Sequence, residues 1–254
     1  MPLLEVQDIR VEFGGVVALD DLSFTIEARQ ICALIGPNGA GKTTLFNVLS
    51  RLYEPRNGRV LFDGTDLLDL PPHKIATLGI TRSFQNLALF PTLSVVQNVM
   101  TGTHRSGGAG ALREAVAWPG VARQERARDE QARALLDRLG LVHLADRPAA
   151  GLPYGTLKRI EIARALAARP RLLMLDEPAA GLTHSEVDEL GTTIGAIRDE
   201  FDLTVLLVEH HMSMVMGISD NVVVLDFGSK IAEGVPADIA RNPRVIEAYL
   251  GTPA

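Results

Sequence analysis

"GPNGAGKTT", residues 36–44, decides the fold of this 254-residue chain. It follows the apolar run "ICALI" (31–35) and precedes a helix-like segment, so a strand runs into a glycine-rich loop and the loop opens a helix. Gly36, Gly41, Lys42 and Thr43 occupy the defining places of the pattern G-x-x-x-x-G-K-[ST]. Each residue type serves that pattern. Glycines let successive backbone N–H groups turn toward phosphate oxygens, the lysine reaches the β- and γ-phosphates, and the threonine hydroxyl is a ligand for Mg²⁺. We therefore read Gly36, Pro37, Asn38, Gly39, Ala40, Gly41, Lys42, Thr43 and Thr44 as a phosphate loop, with ATP and Mg²⁺ as the implied ligands.

A phosphate loop also needs a carboxylate at the end of a neighbouring strand to hold the metal. "LLMLDEP" (172–178) supplies one in Asp176, after four apolar residues, and then a second acid, Glu177, placed to polarise an attacking water. Strand signals also stand at "NGRVLFDG" (57–64), "LTVLLVEH" (203–210) and "NVVVLDFG" (221–228), and residues 1–30 alternate like half-buried strands. Strands alternating with helix-length segments predict an α/β chain with a mostly parallel sheet covered on both faces. Residues 94–150 change to helical character, with a flexible break expected at "RSGGAG" (105–110) and a turn at "WPG" (118–120).

Composition narrows the classes. The net charge of −6 argues against general nucleic-acid binding. Arg-rich residues 113–138 pair at helical spacing with acids, Arg126 with Glu130 and Arg133 with Asp129 and Asp137, which describes a solvated helix face. No apolar run approaches membrane-spanning length and no leader pattern opens the chain, so a role at a membrane is expected to come through partners. Cys32, the single cysteine, is expected as a small buried side chain. Scattered histidines show no metal-ligand spacing.

The order of phosphate loop, "LPYGTLKRIEIARAL" (152–166) and "LLMLDEP" resembles the ABC ATPases, the nucleotide-binding subunits of ABC transporters. The resemblance implies a P-loop NTPase (RecA-like) core, an N-terminal antiparallel β subdomain (1–93 and 166–254 with the core) and an inserted helical subdomain (94–165). It also implies a head-to-tail ATPase dimer in which the signature helix of one chain, here opened by Tyr154 and Gly155, closes over the ATP of the other. Gln85 resembles the glutamine that touches Mg²⁺ and couples to the membrane partner, His210 the switch histidine on the γ-phosphate, and Phe13 the aromatic that stacks on adenine. His211 is expected to point elsewhere. Departures stand at Pro153, where the family commonly has serine, and Thr183, where it commonly has aspartate.

A Tyr-Gly signature, the run 208–236 and the ending "NPRVIEAYLG" (242–251) resemble the ATP-binding subunits of branched-chain amino-acid importers. The partners so implied are two transmembrane permease subunits, a second ATPase subunit (an asymmetric heterodimer, with a homodimer as the alternative) and, indirectly, an extracytoplasmic solute-binding protein. No nucleic acid is expected. The expected location is the cytoplasmic face of the cell's inner membrane, with docking around Gln85 and "LALF" (87–90). ATPases for urea or amide import or lipopolysaccharide export share part of this texture. A DNA-repair ATPase would carry a long coiled coil, and no sustained heptads occur here. A small-molecule kinase on the same loop has no use for a signature helix.

Overall fold

The computed structural model describes residues 1–83, 88–103 and 119–250, with the backbone alone at 119–122 and 250. Gln85, Leu87, the "RSGGAG" segment and residues 251–254 lie outside the described residues. The strands are β1 (Leu4–Phe13), β2 (Val16–Ile26), β3 (Ile31–Ile35), β4 (Asn57–Phe62), β5 (Thr65–Asp66), β6 (Ile80–Arg82), β7 (Leu172–Asp176), β8 (Thr204–Val208), β9 (Asn221–Asp226) and β10 (Ser229–Gly234). Helices are α1 (Lys42–Leu49), α2 (Pro72–Ile75), α3 (Val95–Thr101), α4 (Pro119–Arg138), α5 (Tyr154–Ala167), α6 (His184–Phe201), α7 (Met212–Ile218), α8 (Pro236–Ile239) and α9 (Pro243–Leu250).

Two sheets form. One is antiparallel, in the order β2-β1-β4-β5; the other has six strands in the order β10-β9-β3-β8-β7-β6. In the larger sheet β9, β3, β8, β7 and β6 pair in parallel, and β10 closes one edge as the return arm of a hairpin. Strands β3, β7 and β8 are buried at every position, as parallel strands with two covered faces must be.

Alternate side chains enter different cores. Cys32 and Leu34 join Phe46 of α1, Met174, Leu206 and the inward residues of β1, β2 and β4. Leu173, Leu175, Val205 and Leu207 face the other way, onto α3, α4, α5 and α6. Ala33 and Ile35 instead meet Val215 of α7, Ile239 of α8 and Val245 of α9. Burial pushes the Cys32 thiol far above its ordinary value, with Glu233 and Asp220 adding to the effect, so it is an inert apolar filler.

The helical insert shares its core with the sheet. Helix α3 starts in a capping box, with the Ser94 hydroxyl accepting from the Gln97 N–H at 3.2 Å and the Gln97 side chain accepting from the Ser94 N–H at 2.9 Å. Helix α5 runs through Ala167, and Leu166 is buried in the same cluster. Of the turn expected at 118–120, residue 118 lies outside the described residues, and residues 119 and 120 are part of α4. Arg133 does pair with Asp129 at 2.8 Å, but its other acid is Asp146 at 2.5 Å, brought in from beyond the helix.

Leu207 is fully buried at the centre of the sheet. Leu207→Ala should destabilise the chain by about 2 to 5 kcal/mol, read from the shift of its denaturant midpoint.

Candidate nucleotide site

The phosphate loop leaves the C-terminal end of β3, the edge where open α/β sheets bind ligands. Three of its residues adopt positive φ: Gly36 at 153°, Gly39 at 81° and Gly41 at 102°. Close packing excludes a side chain at two of them. A Cβ on Gly36 would lie 2.1 Å from the Leu225 carbonyl oxygen, and one on Gly41 2.6 Å from that of Ala18. At Gly39 the same position is open, with nothing within 4 Å, and the loop is exposed there. Lys42 spans the loop, donating to the Gly36 carbonyl at 2.6 Å and the Pro37 carbonyl at 2.9 Å. Desolvation lowers the pKa of its ammonium, and Glu177 and Asp176 pull it back up. A glycine turn, a helix N-terminus and a held ammonium fit a polyphosphate. Thr43 is exposed at that mouth, and Thr44 is partly buried.

Asp176 ends β7 and is almost wholly buried. Its Oδ2 accepts from Arg82 Nη2 at 2.6 Å, a contact the sequence did not reveal. Arg82 ends β6, and its other amino group donates to the Asn47 side chain of α1 at 2.8 Å. The arginine thus ties the metal-side carboxylate to the helix that the phosphate loop opens. Glu177 follows with φ at +49°, a left-handed conformation that costs a non-glycine residue free energy. Its N–H donates to the Val208 carbonyl at 2.9 Å, which fastens the turn to β8.

His210 follows β8 with its side chain 56% exposed, open to the same edge. His211 does not point away as the alternation of a strand would have it. The chain has left the strand by then, and the two imidazole rings lie 4.8 Å apart, tilted by 31°. Glu209, Glu209's neighbours His210 and His211 bring donor atoms within 4.8 Å of one another, a grouping the scattered histidine spacing did not suggest. Glu209 is buried, however, and its oxygens accept from the backbone N–H groups of Ala179, His210 and His211.

Phe13 lies at the β1–β2 turn, 46% exposed, with Tyr53 edge-on at 5.0 Å between ring centroids. An aromatic so braced offers a face to a nucleobase, and Tyr53 was not read from sequence. Tyr249 was also missed: it reaches back from α9 to the neighbourhood of the Gly36 backbone, which lowers its pKa, while desolvation, the larger effect, raises it.

At the mouth of α5, Pro153 is the cap residue and supplies no side-chain bond. Tyr154 is exposed, and a Cβ on Gly155 would lie 2.8 Å from Glu186 Oε1, so this opening packs on the start of α6. Lys158 is buried with its Nζ 5.6 Å from the Tyr154 ring centroid, and so lies beneath the mouth instead of extending from it. Thr183 donates through its N–H and hydroxyl to Glu186, at 2.9 and 2.7 Å, and starts α6. Of the expected docking stretch, Phe90 is exposed and Leu89 is partly buried, packed against the helical core.

Comparison with known proteins agrees with this geometry. A family described as ABC transporter matches residues 19–180, and one described as branched-chain amino acid ATP-binding cassette transporter matches residues 229–254. The chain is 44% identical to the high-affinity branched-chain amino acid transport ATP-binding protein BraF of Pseudomonas aeruginosa, over 98% of both chains. It is 41% identical to LivG of Escherichia coli, which carries the same description, again over 98% of both. The crystal structure of the ADP conformation of an ATP-binding cassette of an ABC transporter superposes with a TM-score of 0.86 at 30% identity, covering 99% of this chain and 100% of that one. Matched by that family model over residues 19–180 and by such relatives along nearly its whole length, this chain is a member of the ABC transporter family, one of its ATP-binding and ATP-hydrolysing subunits.

Proposed function

We propose that this chain powers uptake of branched-chain or other hydrophobic amino acids by hydrolysing ATP against partner membrane subunits at the inner face of the cell membrane. The observation that supports it best is the meeting of the Lys42 loop, Asp176, Glu177 and His210 at one sheet edge in a chain 44% identical to BraF along its length. Among the described residues no helix is long and apolar enough to cross a membrane, so the pathway for the amino acid would be built by the partners.

At the site, the loop N–H groups of residues 38–44 and Lys42 bind the phosphates, and Phe13, braced by Tyr53, stacks on adenine. Thr43, Asp176 and Gln85 would hold Mg²⁺, which when bound neutralises charge on the β- and γ-phosphate oxygens. Glu177 accepts a proton from water as the water oxygen bonds to the γ-phosphorus and the bridging P–O bond to ADP breaks. His210 donates to the γ-phosphate. Tyr154 and Gly155 meet the γ-phosphate held by a second ATPase chain, so hydrolysis reopens a dimer that ATP closes. Pro153 removes both a hydroxyl and an N–H from that mouth. One lost hydrogen bond to a charged group is worth about 1.5 to 3 kcal/mol, which favours an asymmetric pairing with a different ATPase chain over a homodimer.

Transport supplies the first test. In proteoliposomes holding this chain with the membrane subunits that co-purify with it, ATP inside should drive leucine uptake, and uptake of a different solute class would reassign the importer. Glu177→Gln should keep ATP affinity, lower turnover by about two to four orders of magnitude and trap an ATP-dependent dimer in size-exclusion chromatography. Unchanged hydrolysis would remove Glu177 from the role. Gly41→Ala, which sets a Cβ against Ala18 and strains a left-handed position, should weaken ATP binding roughly tenfold or more by calorimetry. Disabling Glu177 and the partner's equivalent glutamate separately in the assembled transporter should give unequal losses of hydrolysis; equal losses would sink the asymmetry.

A further inference from the structure

Glu209 is an acid whose side chain is wholly buried, directly after an apolar strand. Burying a carboxylate is costly unless its oxygens are satisfied, and here both are. Oε1 accepts the Ala179 N–H at 2.7 Å, and Oε2 accepts the N–H groups of His210 at 2.9 Å and His211 at 3.1 Å. The carboxylate therefore lies between two turns. One carries Glu177 at φ +49° and closes through the Ala180 N–H on the Glu177 carbonyl at 3.1 Å. The other presents His210, whose ring is open to solvent.

We propose that Glu209 is a positioning residue for hydrolysis: its carboxylate fastens the strained Glu177 turn to the His210 turn and so fixes the base and the γ-phosphate contact relative to one another. The inference rests on the reading of Glu177 and His210 given above. Three N–H groups approach this side chain from two sides, and all need an acceptor. A carboxylate accepts on both oxygens. A glutamine of the same shape accepts on one and points an NH₂ group at a donor on the other, so one turn must come loose. Both Glu209 oxygens are engaged by these backbone groups and the side chain is wholly buried. Its effect passes through the turns.

The test uses the full chain in its assembled transporter, with wild type, Glu177→Gln, His210→Ala, Glu209→Gln and the Glu209→Gln/His210→Ala pair. Steady-state hydrolysis gives kcat and KM for ATP, and equilibrium binding gives affinity. Glu209→Gln should lower kcat about tenfold or more while KM and affinity stay within about twofold. Because it acts through the His210 turn, the double variant should be no slower than about twofold below the slower single variant. Should Glu209→Gln not accumulate folded, Glu209→Asp, which keeps the charge and shortens the reach, carries the same comparison. An unchanged kcat, a parallel fall of kcat and affinity, or fully multiplicative losses in the double variant overturn the proposal. If the wild-type complex does not hydrolyse ATP, or Glu177→Gln leaves hydrolysis intact, the reading of the site falls first, and the two failures are thereby told apart.

Discussion

The parallel ladder through β8 is the constraint on which the site depends. Val208 is paired with Leu34 of β3 on one side and with Asp176 of β7 on the other. That register sets the origin of the phosphate loop, Asp176 and His210 side by side, although they are distant in sequence. A slip of one residue would turn alternate side chains from one face to the other. It would also exchange the cores that Leu206 and Leu207 now enter separately. The apolar cores on both faces therefore enforce the register, and the register enforces the chemistry at the strand ends.

Close backbone contacts turn that register into a rigid cradle. Gly36 lies against the Leu225 carbonyl and Gly41 against that of Ala18, so β9 and β2 both bear on the phosphate loop. The Gly228 N–H donates to the Ala40 carbonyl at 3.1 Å, and the Asp20 N–H to the Gly228 carbonyl at 2.9 Å. The β9–β10 hairpin thus wedges between the antiparallel sheet and the loop. A loop so confined is organised before any phosphate arrives, which lowers the ordering cost of binding. The left-handed backbone at Glu177 is the matching device on the neighbouring strand, strain that persists because the surrounding bonds over-determine it.

Much of this is local in sequence and was legible there. The phosphate loop is a contiguous pattern with a mechanism for each residue, and Asp176 and Glu177 end an unmistakable apolar run. What stayed hidden is tertiary. Arg82 meets Asp176 only because β6 and β7 become neighbours, and Asp146 meets Arg133 only because the chain folds back beside α4. His211 was misplaced because period-two alternation was carried past the end of β8, into a turn where it no longer holds. Leu89 read as surface, and its partial packing against the helical core is likewise a tertiary contact. The glutamate in "LLVEHH" did carry a signal: an acid at the end of so apolar a run must find donors once it is buried.

The chain's last described helix shows how an element with subfamily resemblance enters the common site. Residues 229–254, which match the branched-chain amino acid family, contain α8 and α9, and Val245 of α9 packs with Ala33 and Ile35 on the underside of β3. Tyr249 stands one helical turn further along the same face, near the Gly36 backbone. The Gly36 carbonyl is meanwhile taken by Lys42. The C-terminal helix therefore reaches the glycine loop by packing: the side chains that hold α9 lie under the strand from which the loop springs.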